Sequence, residues 1–398
     1  MATYREVLRH REMPAVMTAH AISLTGSVAA EVALSVLVYS RTSSPFLASL
    51  TLACAFVPQA FSAFVLSGVV DRVPPRRLLV GIDLLCALLV ACMAVREAPI
   101  WVLLLLAACV GVVTPLFSGA RAATLADVLE GETWVRARSL MRVISQSSLL
   151  MGFAVGGIAL TVVTPRTLLV VDAVSFALSA ALLRLGTSER PARAAGGPRP
   201  SRAAIAALRH PRIRPVLLLT WLPAACVCSI DALATPYAAP STIGIGALLV
   251  AAAAGSVLAE VLGRRVTRVA PVAALTGVGL LLFAFHPPVW LAVPVVVLAM
   301  QGGAIGQWLD ARLLEELPLD LRGQLLALQQ GLLMGIQGAG VALSGALAEV
   351  FPPYAVLAGA GVVALVTVAV LLPQVQHRAP TALTPVGAGE RATGIEPA

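Results

Sequence analysis

Two acidic residues interrupt long apolar stretches of the sequence, Glu31 near the start of the chain and Asp231 in its second half. An ionisable side chain inside a membrane span is costly and is by default a functional candidate. A carboxyl in a low-dielectric cavity favours its neutral form and can exchange a proton, for which a cationic or polar group could compete. We predict that Glu31 is the main proton-exchanging group and that Asp231 faces the same cavity. The alternative is that each carboxyl reaches external water and has no such role.

Other polar side chains of the apolar stretches have weaker claims. Asp172, in the sixth stretch, lies at a depth comparable to that of the first two acids. Gln301 and Gln307, in the tenth, and Gln337, in the eleventh, could hydrogen-bond a bound molecule, although such glutamines more commonly join neighbouring helices. For the remaining polar residues we expect helix contacts, ion pairs or anchoring: His20, Asp83 and Arg121.

The composition requires that these residues be positioned by membrane-spanning helices. Apolar residues make up 59% of the 398-residue chain and charged residues 12%, whereas a soluble domain carries about a quarter charged residues. Twelve stretches approach the roughly 20 residues needed to cross a hydrocarbon core, and no alternating pattern typical of barrel strands occurs. The predicted class is an all-α integral membrane protein. The stretches are 14–40, 45–70, 78–95, 99–121, 139–163, 167–186, 214–237, 243–262, 270–286, 289–309, 323–349 and 353–373.

The arginines predict the orientation of these helices. All 28 basic residues are arginine, and all but Arg41, Arg96 and Arg166 fall in every second gap between the apolar stretches. Because cytoplasmic loops retain basic residues, the arginine-rich gaps and both termini are expected in the cytoplasm. This fixes an even number of crossings. The net charge of +8 is therefore a topology signal facing anionic lipid, and no nucleic-acid partner is expected.

The chain divides into two related halves. Residues 146–160 (QSSLLMGFAVGGIAL) and 329–343 (QQGLLMGIQGAGVAL), in the fifth and eleventh stretches, match at eight of fifteen positions. Parallel six-helix halves form a recognised plan in which a binding site lies between them near the midplane. The predicted organisation is a cytoplasmic N-terminus at 1–13, a first bundle at 14–186, a cytoplasmic linker at 187–213, a second bundle at 214–373 and a disordered cytoplasmic tail at 374–398.

A short charged turn follows the second stretch. Residues 68–77 read GVVDRVPPRR, which resembles the signature loop of the major facilitator superfamily, G-x-L-x-D-R-x-G-R-R. Asp71 and Arg72 match directly, Arg76 matches one of the paired basic residues, and the place of Arg77 depends on the register. The glycine is displaced and prolines replace two pattern positions. The resemblance implies a cytoplasmic gating loop; the simpler interpretation is a set of topology anchors.

The second half carries a weaker copy of this turn between its second and third stretches. Residues 260–265 read EVLGRR, in which Glu260, Gly263, Arg264 and Arg265 are the candidate gating residues. Two such loops at equivalent positions make the resemblance to the superfamily specific, and it extends over about 14–373.

The fifth stretch contains Gly152, Gly156 and Gly157, whose small side chains favour close helix packing. The pattern resembles the G-P-x-x-G-G motif of exporters within the superfamily, except that Phe153 replaces the proline. Plain helix packing is the alternative. The segments 120–130 and 317–323 resemble the macrolide-efflux-like and enterobactin-exporter-like branch, in which an acidic or polar residue also occupies the neighbourhood of Glu31.

The resemblance implies a monomeric secondary transporter in the bacterial inner membrane, moving between two six-helix halves. Its expected task is export of a small amphipathic drug, antibiotic, siderophore or other secondary metabolite by proton antiport. Uptake or facilitated diffusion is the alternative. A membrane-embedded acyltransferase is remote, because the histidines are scattered and no catalytic or metal-ligand spacing occurs. The sequence has no phosphate-binding loop, and no cofactor is expected besides the proton gradient.

Overall fold

The structure, a computed structural model, describes residues 4–65, 73–129, 131–191, 208, 210–263, 266, 268–316 and 322–376. Within these ranges every regular element is helical. A short helix, Tyr4–Arg9, precedes twelve long ones. The long helices are α1 Met13–Thr42, α2 Pro45–Val65, α3 Pro75–Met93, α4 Ile100–Val128, α5 Gly131–Ala159, α6 Pro165–Gly186, α7 Ile213–Ala238, α8 Thr242–Gly263, α9 Val269–Phe285, α10 Val289–Glu316, α11 Arg322–Leu347 and α12 Pro353–Gln376.

Eight of the described helices are individually long and apolar enough to cross a membrane, and α9 and part of α2 form shorter apolar segments. Their outward faces carry large apolar side chains that only lipid can solvate. Examples are Leu105, Ile158, Val174, Val261 and Val366. The predicted class, an all-α integral membrane protein, is confirmed.

Proline marks several of the tight connections. Pro45, Pro165 and Pro353 begin α2, α6 and α12, where proline lacks only an amide hydrogen that would be unsatisfied in any case. Between α9 and α10 the chain turns at His286, whose φ of 48° is left-handed, and the next two prolines prevent the helix from continuing.

Three helices extend by seven or eight residues beyond the predicted stretches at the end of the molecule where the linker lies. The predicted fourth stretch ends at 121, the fifth begins at 139 and the tenth ends at 309, but α4 continues to Val128, α5 begins at Gly131 and α10 continues to Glu316. Hydropathy marks where a helix leaves the apolar layer, and these helices continue past it as polar, hydrogen-bonded turns. For the same reason α12 reaches Gln376, three residues into the predicted tail; residues 377–398 lie outside the described part.

The two halves repeat the same packing. In the first half α6 packs against α1 and α3, and in the second half α12 packs against α7 and α9. Between the halves, α2 packs along α11 and α8 packs along α5. These two contacts are equivalent under the repeat, since α2 corresponds to α8 and α5 to α11. The arrangement is the pair of six-helix pseudo-repeats that the sequence predicts.

The three arginines that break the alternation meet at one turn. Arg41 donates to the carbonyls of Ala98 and Arg96, each at 2.9 Å, and Arg166 also donates to the Arg96 carbonyl. They therefore satisfy backbone carbonyls of the α3–α4 connection. We call this end of the molecule the far end, and the opposite end, where α6 finishes and α7 begins, the linker end.

The first residues of the linker are fixed to the first bundle by two adjacent ion pairs. Arg190 holds Glu12 through two hydrogen bonds of 2.7 and 2.9 Å, and Glu12 is only 5% exposed. Burial by itself raises the pKa of Glu12. The hydrogen bonds from Arg190 and Ser188, together with the positive charge of Arg190, nevertheless hold that pKa below its usual range. The neighbouring pair, Glu189 with Arg77, is exposed.

The buried ion pair should stabilise the protein in a pH-dependent way. We expect Glu12→Gln to lower the free energy of unfolding by about 2 kcal/mol, because a charged hydrogen-bond acceptor is lost. Since the pKa of Glu12 is lowered in the folded state, its stabilisation is complete above the ordinary carboxyl range and disappears as the pH falls through the lowered pKa. Thermal unfolding of the purified protein in detergent, recorded across this range, measures both effects.

The matched control is Glu189→Gln, whose exposed pair should contribute at most about 1 kcal/mol. Equal destabilisation by the two substitutions would contradict the distinction between the buried and the exposed pair.

Candidate functional site

A cavity of about 720 Å³ lies between the two bundles. Residues of α1, α2 and α5 line it from the first half, and residues of α7, α8, α10 and α11, with Thr276 of α9, line it from the second. In the middle of α10 the helix narrows to a 3-10 turn over Gln301–Ile305, and Gly302 and Gly303 expose backbone to the cavity. A short 3-10 segment within a longer helix is often associated with a functional hinge.

Glu31 and Asp231 both line this cavity. Each is the nineteenth residue of its helix, counted from Met13 in α1 and from Ile213 in α7. With a rise of 1.5 Å per residue, both carboxyls lie about 27 Å from the helix starts at the linker end. They are close enough to interact electrostatically. The sequence-predicted pairing in space is therefore present, with one carboxyl from each half.

One turn further toward the far end, the same two helices touch. Ser35 and Thr235 are four residues beyond the two acids, and their hydroxyl oxygens are 3.0 Å apart in a buried hydrogen bond. Since Glu31 and Asp231 differ by 200 in residue number, as Ser35 and Thr235 do, equivalent positions of α1 and α7 face each other in both layers. The hydroxyl pair closes the cavity directly above the carboxyl pair.

Further contacts hold the far end shut. The Ser49 hydroxyl of α2 donates to the Ala232 carbonyl of α7 at 2.9 Å. Glu349, just after α11, accepts hydrogen bonds from the Ser44 hydroxyl and from the Phe46 amide, the latter at 3.0 Å. A carboxylate at a helix N-terminus also interacts favourably with the helix dipole. These contacts join α2 to α7 and α11 across the interface between the halves.

The glycines of the α5 motif divide between two interfaces. A Cβ added to Gly152 would lie 2.6 Å from the Cβ of Val28, and one added to Gly156 would lie 3.2 Å from the Cα of Ala29, both on α1. A Cβ on Gly157 would instead lie 2.5 Å from the Cα of Gly246 on α8. The first two glycines pack the first bundle internally, and the third allows α5 and α8 of opposite halves to touch near the far end.

The linker end of the cavity carries solvent-accessible charged residues. Arg142 of α5 forms an ion pair with Glu260 of α8, and both side chains are partly exposed. Gln307 of α10 donates to the Glu260 carbonyl at 3.2 Å. In the described part of the chain, the mouth is thus spanned by one solvent-accessible ion pair, which is worth at most about 1 kcal/mol, while the far end is closed by buried hydrogen bonds and glycine contacts.

The two predicted glutamines differ in their use. Gln307 lines the cavity. Gln301 does not; its amide donates to the carbonyls of Val297 and Gly255 at 2.9 and 3.2 Å, which is the helix-joining role that the sequence left open for it. Gln337 of α11 also lines the cavity.

Asp172 lies away from the central cavity, inside the first bundle, and is 2% exposed. The Ser175 hydroxyl donates to its Oδ1 at 3.0 Å, and its carboxyl interacts electrostatically with Glu31. Glu31 therefore lies between Asp172 on one side and Asp231 on the other.

The predicted gating loops are described only in part. Asp71, Arg72, Arg264 and Arg265 lie outside the described residues. Arg76 donates to the Arg184 carbonyl and Arg77 pairs with Glu189; Gly263 packs closely against the Ala304 carbonyl. Arg76 and Arg77 therefore join α3 to α6 within one bundle.

A second group of polar residues ties the first bundle together nearer the linker end. Asp83 accepts a hydrogen bond from Ser179 at 2.6 Å and lies near Arg121 of α4. Arg121 in turn contacts His20 Nδ1, while His20 Nε2 lies 2.8 Å from the Ser145 hydroxyl. Because α4 continues beyond 121, Arg121 points into the bundle instead of ending the helix at its surface.

The described lining of the cavity contains more acidic than basic residues, and the sequence predicted some of these acids but not all of them. The acids among its described lining residues are Glu31, Asp231, Glu260 and Asp310, and the basic one is Arg142 at the mouth. Asp310 was missed because it lies past the predicted end of the tenth stretch. The arginine pattern groups Arg142 with the loop arginines, and only the packing of α5 against α8 shows its partner, Glu260.

Twelve helices in two repeated bundles, with a cavity open to one end and closed at the other, define a secondary transporter of small molecules. A sequence profile described as Major Facilitator Superfamily matches residues 16–309. The chain belongs to this superfamily and is a transporter, not an enzyme. No curated protein matches the sequence.

Solved structures of the same fold include transporters of the POT family. One, in complex with 5-aminolevulinic acid, has a TM-score of 0.70 and 12% identity, covering 91% of this chain and 96% of that one. An auto-inhibited POT family peptide transporter has a TM-score of 0.72 and 12% identity, covering 93% and 97%. A peptide transporter POT has a TM-score of 0.69 and 14% identity, covering 91% and 94%. At these identities the likeness shows the fold alone.

The glycine contact at the far end should control which side of the membrane reaches the cavity. In a variant whose only cysteine is the cavity residue Cys228, we expect Gly157→Val to increase labelling from the far side several-fold, because the added side chain cannot fit against Gly246 and the far-end-open state gains population. Gly246→Ala should act in the same direction to a smaller extent. The measurement uses a membrane-impermeant maleimide.

Gly81→Val is the matched control, since nothing lies within 4 Å of a Cβ at Gly81. Unchanged far-side labelling in a folded Gly157→Val protein would show that this contact does not hold the far end shut.

Proposed function

We propose that this transporter exchanges a small amphipathic cation for protons and thereby exports it from the cell. The single observation that carries the proposal is the pair of carboxyls, Glu31 and Asp231, placed at equal depth on equivalent helices and facing one largely apolar cavity. The exporter-type branch suggested by the sequence motifs, with a drug, antibiotic, siderophore or other secondary metabolite as cargo, is part of this proposal.

The chemistry follows from charge balance in the cavity. Two carboxylates close together in a medium of low dielectric constant repel each other and lose hydration, so one or both favour the neutral form. A proton or a bound organic cation relieves the same repulsion, and the two therefore compete for Glu31 and Asp231. Apolar lining residues such as Phe56, Leu149 and Phe153 supply contact area for the rest of the molecule.

The closed and open ends support alternating access. In the structure the far end is sealed above the carboxyls by Ser35 and Thr235, whereas among the described residues the ion pair of Arg142 and Glu260 spans the mouth at the linker end. Rocking of one bundle against the other would open the far end and close the linker end. The arginine pattern predicts that the linker end is cytoplasmic, so this conformation would load cargo from the cytoplasm.

Peptide uptake is the second candidate, because the similar solved structures include peptide transporters. A peptide carries a carboxylate as well as an amine, and the described part of the cavity offers that carboxylate only Arg142, which is already paired with Glu260. Because Glu31 and Asp231 lie deep in the cavity, the cavity favours a cation over a zwitterion.

The proposal is tested with purified protein in vesicles that carry an imposed pH gradient. Ethidium, tetraphenylphosphonium and dialanine are offered separately, while internal pH and substrate flux are followed together. We expect a cation, and not dialanine, to move with opposite proton flow. Glu31→Gln should reduce proton movement by about a hundredfold or more, the scale of a lost proton-transfer group.

Asp231→Asn should weaken cation binding by about tenfold or more, which corresponds to the loss of roughly 1.4 kcal/mol. Asp310→Asn, which removes an acid nearer the mouth, is the matched control and should retain coupling. Cation flux without proton movement would refute antiport and favour facilitated diffusion. Proton-coupled dialanine transport would favour uptake of peptides, and failure to carry any cation would refute the proposed cargo class.

A further inference from the structure

Glu31 faces a second space besides the central cavity. A chamber of about 60 Å³ lies inside the first bundle, between α1, α2, α3, α4 and α6. Its polar lining residues are Ser27, Glu31, Thr51 and Asp172, and the rest of its wall is apolar. A volume of this size accommodates a few water molecules, which need several polar partners to be held.

The chamber and the cavity share one titratable side chain. Glu31 lines both spaces, Asp231 lines only the cavity and Asp172 lines only the chamber. Along the membrane normal the chamber extends from the depth of Ser27, one turn nearer the linker end than Glu31, to Met93, the last residue of α3 at the far end. Asp172 lies between these two limits, being the eighth residue of α6 counted from the far end, or about 10 Å from that end.

We infer that the first bundle contains a separate proton pathway, in which Asp172 passes protons through the chamber between Glu31 and the far side, while organic cargo uses only the central cavity. This inference rests on the proposed proton-coupled function and adds to it the route and a second proton-carrying residue. The far-end seal between Ser35 and Thr235 blocks the cargo path but is not part of the chamber wall.

The surroundings of Asp172 suit reversible proton transfer. In the direction of export, protonated Asp172 would release its proton to a chamber water, and that water would release a proton to the ionised Glu31 carboxylate, so that charge and atoms balance at each step. Ser27 and Thr51 donate their own hydroxyl hydrogens to the carbonyls of Ser23 and Ala48, at 2.8 and 2.7 Å. Their oxygens therefore remain free to accept hydrogen bonds from water.

Few other titratable groups lie near Asp172. Glu31 of α1 and the thiol of Cys86 of α3 interact electrostatically with it. Asp83 lies further toward the linker end of α3, where it is paired with Ser179. The chamber residues contributed by α4, Ala107 and Val110, are apolar. A positive charge that would hold Asp172 permanently ionised is absent from the described wall of the chamber.

The test separates cargo movement from proton movement in vesicles, with ethidium as the probe. Exchange of labelled for unlabelled ethidium at equal pH on both sides requires no net proton transfer. Accumulation driven by a pH gradient requires it in every cycle. We expect Asp172→Asn to retain exchange within about twofold of the unaltered protein and to lose gradient-driven accumulation by about a hundredfold.

A second pair of variants tests the chamber itself. Ala107→Leu places three additional carbons in the chamber and should show the same loss of accumulation with exchange retained, because water is displaced. Ala107→Ser keeps the space and should behave like the unaltered protein. These variants leave both acids in place, so that the result does not depend on the stability of a buried substitution at Asp172.

Full gradient-driven accumulation in both Asp172→Asn and Ala107→Leu would overturn the pathway. Equal loss of exchange and accumulation in both would also overturn it, since that pattern indicates a structural role. If the unaltered protein exchanges ethidium but neither accumulates it under a pH gradient nor moves protons when a gradient is imposed, the proposed antiport fails first, and this result is distinguishable from failure of the pathway alone.

Discussion

The mutual repulsion and desolvation of two carboxyls in the interior of the membrane is the constraint on which the rest of the structure depends. Glu31 and Asp231 come from opposite bundles, so the free energy of their approach depends on what occupies the space between them. In the proposed function, a proton or an organic cation relieves the repulsion, and an empty cavity with both groups ionised does not. That proposal couples the interface between the bundles to the chemistry of the cavity, which is what a transporter with two access states requires.

The far-end interface is closed by interactions that can be broken together. Glycine contacts between α5 and α8 bring backbones together without interlocking large side chains, and the hydroxyl pair of Ser35 and Thr235 is a single hydrogen bond. In a bilayer neither helix gains from a hydrophobic effect on association, so such close packing and hydrogen bonds supply most of the attraction. In the proposed function, the far-end interface opens as a unit when Glu31 and Asp231 change their charge.

Much of the fold could be predicted from the sequence, because each prediction rested on a one-dimensional signal. Hydropathy gave twelve spans, the arginines gave their expected orientation, and the match of 146–160 with 329–343 gave the repeat. The signals failed where helices continue past the apolar layer, as α4 and α10 do. That is why Arg121 was placed at a helix end and why Asp310 was not considered.

For the site, the sequence by itself determined which carboxyls lie within apolar helices, since an ionisable residue there stands out against its surroundings. It could not determine which helix faces are opposed. The pairing of Ser35 with Thr235 and of Arg142 with Glu260, and the placement of Glu31 between a cavity and a chamber, depend on how helices rotate and cross. Those are decided by side-chain packing between segments distant in the chain, a property that no local pattern encodes.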